Sequence, residues 1–321
     1  MIEINNKIKE RGLININVLS LFDGISCGQV ALDRAGIKVD KYFASEIDKY
    51  AISITQKNYP NTIQLGDITK ITCDDLDRLG KIDIIIGGSP CQDLSNYKYD
   101  RGEVTGLNGE KSGLFYDYVR ILKYVKPKYF LLENVASMDD KWKDLMSEIL
   151  GVQPIMINSS LVCGAERKRY YWTNIPNVLQ PKDKGIVLKD IVLDAADVEQ
   201  KYWYDKPFTY NGDENKVQCT LNIKIQRQGK EVYNLNSKSN TLMCDGNGGN
   251  LQKKVYQAGK CRKLTPLEYE RLQTLPDFYT AKGLINGKEV DVSNSRRYTA
   301  IGNGWTVDVI AHILSYINKN T

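Results

Sequence analysis

From residue 17 to about residue 174 the chain alternates short runs of β-branched and aromatic residues with amphipathic stretches of helix length. Strands joined by crossover helices lie parallel, so this alternation predicts an α/β fold with a doubly wound, mostly parallel sheet. Strands are expected at residues 18–22, 41–47, 82–88, 129–135 and 154–160, with one more short strand before Asp67. Helices fit at about 28–36, 48–58, 113–125 and 140–150. Ligands of such sheets bind beyond the carboxyl ends of the strands, so the residues there are the candidates for function.

Beyond Pro176 the alternation fades into a stretch rich in Asn, Gly, Lys and Gln. Trp203, Tyr204, Phe208, Tyr233 and Leu242 supply apolar anchors, which favours a small irregular β-rich domain over a linker. Regular structure resumes at "TPLEYERLQTL", where Thr265 can cap a helix, Pro266 suits its first position and Glu268 lies three residues after the cap. A last amphipathic helix is expected over 307–318. The predicted organisation is therefore 1–175, an inserted domain at 176–258, and a return to the first domain at 259–321.

Composition removes several chemistries. The seven cysteines are never within four residues of one another, which excludes CxxC redox and zinc-ribbon patterns, and no metal centre is expected. His312 is the only histidine, so a Cys-His or Ser-His-Asp mechanism has a single candidate base, and that base lies in the terminal helix pattern. There is no apolar run of about 18 residues, and the N-terminal stretch is charged where a signal peptide is apolar. The expectation is a cytoplasmic protein without membrane contact. The net charge of +5 only mildly favours a polyanionic partner.

The segment "SLFDGISCG" runs from a strand through a glycine turn into a helix, with Gly24 and Gly28 spaced unlike a dinucleotide fingerprint. Glu46 ends the next strand, where a carboxylate can accept ribose hydroxyls, and Asp67 follows the third strand within reach of an adenine edge. With no phosphate-binding lysine motif, these acids suit an adenosyl cofactor lacking phosphates, and S-adenosylmethionine fits better than NAD. On the same rim, Cys91 follows the apolar run 84–88 and Glu133-Asn134 closes another strand. Arg167 and Arg169 alternate, so in an extended segment they share a face and can lower the pKa of a nearby thiol. Singly, each has an ordinary reading: a buried cysteine, a salt-bridged glutamate, a basic surface strand.

Together, "FDGISCG", "SPCQ", "ENV", the Arg167/Arg169 pair, "RKLTPLEYERLQTLP" and "IGNGWTV" resemble, in order and spacing, the DNA cytosine-5 methyltransferase family. The resemblance covers about residues 17–175 and 259–318, and the first and "IIGGSPCQDLS" segments are most similar to the animal de novo branch. Because the reader domains of that branch are absent, a free-standing prokaryotic or phage enzyme is expected.

The resemblance implies that Cys91, held by Pro90, adds to C6 of a flipped-out cytosine. Glu133 and Asn134 would hold the base, and Arg167 and Arg169 its O2 side and nearby phosphate. On the cofactor side it implies Phe22, Asp23, Gly24, Ile25, Gly28, Glu46, Ile47, Asp67, Ile68, Leu114, Asn303 and Trp305, with S-adenosyl-L-methionine bound there. Residues 92–112 would form the loop that closes over the base, with Gln92, Ser95, Lys98, Arg101 and Lys111 on DNA, and Thr241 a further phosphate contact. The inserted domain would be the target recognition domain. The implied partners are double-stranded DNA and a cognate restriction endonuclease, with a monomeric, nucleoid-associated enzyme. Ala165 stands where the family usually has glutamine, as in the animal branch. A tRNA cytosine-5 methyltransferase and a non-catalytic DNA-binding relative are the alternatives, separated by methyl incorporation into tRNA or duplex DNA.

Overall fold

The computed structural model describes residues 15–94, 106–109, 111–224, 227–242 and 251–319. Seven strands form the main sheet: β1 (Ile16–Leu21), β2 (Val39–Ser45), β3 (Ile63–Gln64), β4 (Ile84–Gly88), β5 (Tyr129–Val135), β6 (Ile155–Asn158) and β7 (Lys168–Thr173). Their order is β3-β2-β1-β4-β5-β7-β6, with the first five parallel and β7 antiparallel to both of its neighbours.

Side chains alternate across this sheet, and both faces are buried. Val18, Ile84, Ile86 and Leu131 point into one core, shared with helices α1 (Cys27–Arg34) and α2 (Lys49–Asn58). Leu19, Leu21, Ile85 and Leu132 point into the other, shared with α3 (Cys73–Leu79), α4 (Phe115–Val125) and α5 (Asp140–Leu150). Continuous apolar strands are what a sheet covered on both faces requires.

Residues after 176 first build a second sheet in the order β12-β11-β10-β9-β8, from β8 (Phe208–Tyr210), β9 (Val217–Leu221), β10 (Glu231–Tyr233), β11 (Lys254–Gln257) and β12 (Lys260–Lys263). Residue 258, the expected end of the inserted domain, lies in the turn of the β11–β12 hairpin. Ala258 and Gly259, at φ 50° and 77°, make the two-residue turn between β11 and β12, so the sheet extends to Lys263.

The chain then forms α6 (Pro266–Leu272), a hairpin of β13 (Lys282–Ile285) and β14 (Lys288–Asp291), α7 (Asn294–Asn303) and α8 (Val307–Lys319). The capping box at α6 is present: Thr265 Oγ accepts from Glu268 N at 3.2 Å and Glu268 Oε2 from Thr265 N at 2.6 Å. Helix α8 packs along α1 and is fixed there by an Arg34–Asp308 ion pair at 2.6 Å. That return brings the 302–305 turn against the carboxyl ends of the main sheet's strands. His312 hydrogen-bonds through Nε2 with the Leu179 carbonyl at 2.8 Å, a structural contact. No helix among the described residues is long and apolar enough to cross a membrane.

Candidate active site

The turn after β1 is wound unusually. Phe22, Gly24 and Ser26 all have left-handed φ values, 60°, 59° and 56°, and two of the three are not glycine. Left-handed side-chain-bearing residues cluster where a ligand-binding turn is over-determined by its surroundings. Here Asp23 supplies the bracing: Tyr42 donates to its Oδ1 at 2.7 Å and the Ser26 hydroxyl to its Oδ2, while Asp23 N donates to the Ser45 carbonyl at 3.1 Å. Burial pushes the Asp23 carboxyl up to about 6 against its hydroxyl donors, and the nearby Glu46 charge adds to the rise. Gly28 lets α1 sit close on the sheet, since a Cβ there would come 2.8 Å from the Tyr42 hydroxyl.

Glu46 links this turn to the next strand. Its Oε2 accepts from Gly24 N at 2.8 Å, and its Oε1 from Ile47 N at 2.7 Å and Asp48 N at 2.8 Å. A carboxylate offers about four lone-pair sites, so roughly one is left in this arrangement for an incoming hydroxyl. Ile47 is 76% exposed directly beside it, an apolar side chain held in solvent at a strand end. Asp67 caps a short 3-10 turn, accepting from Thr69 N at 3.0 Å and Thr69 Oγ at 2.8 Å, and these bonds hold its carboxyl below the usual range.

The base-side residues gather around the ends of β4 and β5. Glu133 is 8% exposed, with Arg169 Nε donating to Oε1 at 2.8 Å and the Trp305 indole donating to Oε2 at 3.2 Å. Asn134 points back into the neighbouring strand end, donating to the Ser89 carbonyl at 3.2 Å and hydroxyl at 3.0 Å. Arg167 donates from Nη2 to the Gly304 carbonyl at 3.1 Å, which also accepts from Gln273 at 3.1 Å. The guanidinium groups of Arg167 and Arg169 thus bond to the Gly304 carbonyl and the Glu133 carboxylate.

Cys91 is half-buried at the end of this rim, packed against the second core, with Gln92 exposed beside it. Its backbone is pinned by two residues that the sequence analysis did not single out. The Ser112 hydroxyl donates to the Pro90 carbonyl at 3.1 Å and accepts from Asp93 N at 3.1 Å. The buried Asp93 carboxylate accepts from Lys111 N at 3.2 Å and Ser112 N at 3.0 Å. An acid two residues after the cysteine and a serine opening the α4 region were the available signals.

Ile25 and Ile68 have buried side chains, so what they offer a ligand is backbone. The Thr241 hydroxyl donates to the Glu166 carbonyl at 2.8 Å. It ties the inserted segment to the strand leading into Arg167. Ser95, Lys98 and Arg101 lie outside the described residues. Lys111 is exposed, Leu114 and Phe22 are partly buried at the edge of the second core, and Asn303 is exposed at the end of α7. Ala165 is buried and bridges backbone-to-backbone with Ser239, so no long side chain occupies that position.

The C-5 cytosine-specific DNA methylase family matches residues 16–150 and 162–319. Type II methyltransferase M.HhaI of Haemophilus parahaemolyticus is 27% identical over an alignment of 338 residues, covering 98% of this chain and 96% of that protein. Type II methyltransferase M1.ScrFI of Lactococcus lactis subsp. cremoris is 28% identical over 329, covering 94% and 78%. Among solved structures, the S. pombe Dnmt2 methyltransferase aligns with a TM-score of 0.71 at 18% identity, covering 95% of this chain and 99% of that one. Entamoeba histolytica methyltransferase EhMeth aligns at 0.67 and 17%, covering 95% and 98%; at such identities the shared property is the fold. Since the family match runs through both the strand-and-helix half and the returning C-terminal segment, this chain belongs to the C-5 cytosine-specific DNA methylase family.

Proposed function

We propose that the protein transfers a methyl group from S-adenosylmethionine to C5 of a cytosine flipped out of double-stranded DNA, through a covalent bond between Cys91 and C6. The observation that carries this reading is the placement of Glu133. Its carboxylate is held on the strand end beside the one that leads into Pro90 and Cys91.

The residues of the turn fit an adenosyl group without phosphates. Asp23, Glu46 and Asp67 bring three carboxylates to the ends of β1, β2 and β3, which repels phosphate and suits a cationic ligand. Ile47 offers an apolar face for a purine, and Gly24 and Gly66 have open space where a Cβ would stand. The cofactor would supply an activated methyl group.

Cytosine is a poor nucleophile at C5, and its target atom is unreachable in a duplex, so unstacking at a cost of a few kcal/mol precedes chemistry. Cys91 then forms a bond to C6 as its thiolate, and the displaced electron pair moves through the ring while Glu133 provides a proton at N3. Arg169 keeps Glu133 in place, and Arg167 is fixed by the Gly304 carbonyl. After methyl transfer, loss of the C5 proton expels the thiolate and restores the ring.

Unmethylated genomic DNA incubated with the protein and S-adenosylmethionine, followed by conversion sequencing for 5-methylcytosine, tests the reading. Methylation confined to a short motif is expected, with at least a thousandfold loss in Cys91→Ala. Methylation of tRNA and not of DNA would replace the substrate, and full activity of Cys91→Ala would remove the mechanism.

A further inference from the structure

Both oxygens of Glu133 are occupied, and their donors come from different regions of the chain. Arg169 belongs to the neighbouring strand β7, whereas Trp305 arrives 172 residues later, in the turn before α8. The sequence pointed to Trp305 only as a cofactor residue. Its indole lies beside the first turn of α1, where a Cβ at Gly28 would stand 3.7 Å from Trp305 Cζ3. Its backbone N–H is bonded to the Cys27 thiol in the same turn. Gly88, the last residue of β4, leaves the gap through which ring and carboxylate meet. A Cβ there would lie 2.8 Å from Trp305 Nε1 and 3.0 Å from Glu133 Oε2.

We propose that Trp305 is a positioning residue for Glu133, and that its indole N–H selects Oε2 as the oxygen that turns to N3 of the cytosine. This rests on the reaction proposed above. One donor leaves a carboxylate free to rotate about its last bond, and a second donor on the other oxygen fixes that rotation. The two bonds are unequal. Arg169 makes a short ionic bond at 2.8 Å and Trp305 a longer one from a neutral donor at 3.2 Å, so Arg169 anchors the carboxylate and the indole sets its angle. Oε2 keeps its second lone-pair direction for N3 while the indole bond stays in place. The same ring abuts the cofactor turn, so the two halves of the site share one side chain.

The test reads the Cys91 and Glu133 steps without methyl transfer. In a duplex carrying tritium at cytosine C5, addition of the thiolate to C6 with proton delivery to N3 activates C5. C5 then takes a proton from water and loses tritium before the thiolate leaves. Atoms and electrons balance with water as the only co-reactant.

Trp305→Phe keeps an aromatic ring against Gly28 and removes the N–H. It should slow tritium release about tenfold in the absence of cofactor, the loss expected of one long hydrogen bond from a neutral donor, while cofactor affinity changes by less than about threefold. Glu133→Ala should also slow release, and adding Trp305→Phe to it should slow it no further, because the indole N–H then has no acceptor at that position to act through. Gly88→Ala, which keeps the indole N–H but wedges the pair apart, should reproduce the loss and carries the test should Trp305→Phe fail to fold. Unchanged release in Trp305→Phe and Gly88→Ala, or a multiplicative loss in the double variant, overturns the proposal. Wild-type protein that neither exchanges nor methylates is a different failure, that of the proposed reaction itself.

Discussion

Asp23 shows what one buried carboxyl does in this site. It braces the left-handed turn at Phe22, Gly24 and Ser26, and burial holds it near 6, above its ordinary 3.8. The folded protein therefore binds the Asp23 proton more tightly than the unfolded chain. The resulting stabilisation is complete below about pH 4 and is lost as pH rises through about 6. Asp23→Asn removes the ionisation, so thermal melts should show it gaining a few degrees over wild type at pH 8 and nothing at pH 4. Positions at this scale were legible where a candidate sits at a strand end: Cys91, Glu133 and Glu46 each follow or close an apolar run that forms a strand of the main sheet. The second use of Trp305 was not, because it depends on a contact across 172 positions that no local pattern encodes. Asp93 and Ser112 escaped notice for the same reason, their bond closing over 19 positions.

Between the elements, β12 and α6 are joined by a wholly buried ion pair. Arg262 on β12 and Glu268 on α6 are both 0% exposed, with Nη2 donating to Oε1 at 2.7 Å and Nη1 to Oε2 at 3.0 Å. Removing one partner strands a charge in the interior, so Glu268→Ala should cost about 3–5 kcal/mol. Replacing both with Met and Leu should cost far less, and denaturant melts separate the cases. The Trp203 ring, 5.8 Å from the guanidinium, gives a fluorescence signal for the loss. Six helices were read from the sequence to within a few residues, α6 through its capping box at Thr265, whereas α3 (Cys73–Leu79) and α7 (Asn294–Asn303) were not among those expected. The direction of β7 had an unread signal: only residues 159–167 separate it from β6, too few for the crossover a parallel strand needs. The β13–β14 hairpin had one as well, in Asn286-Gly287 at φ 51° and 73°, whereas the Ala258-Gly259 turn carries no such dipeptide.

For the whole molecule, the +5 charge matters through where cations stand relative to the rim rather than through its size. Lys111 is exposed one residue from the Ser112 pin, so a DNA phosphate above Cys91 would meet it. Affinity for duplex DNA should fall linearly with salt on logarithmic axes, and Lys111→Ala should flatten the slope by about one, read by fluorescence anisotropy. The inserted segment is anchored to the body well away from its ends. Tyr233, Leu242 and Val255 sit in the main core, Ser239 exchanges backbone bonds with Gly164 and Glu166 at 2.9 and 2.8 Å, and Thr241 donates to the Glu166 carbonyl at 2.8 Å, one residue before Arg167. A different reading head therefore grafts cleanly only if this seam is kept: an exchange that removes residues 233–242 would unsettle Arg167 along with the sheet it replaces.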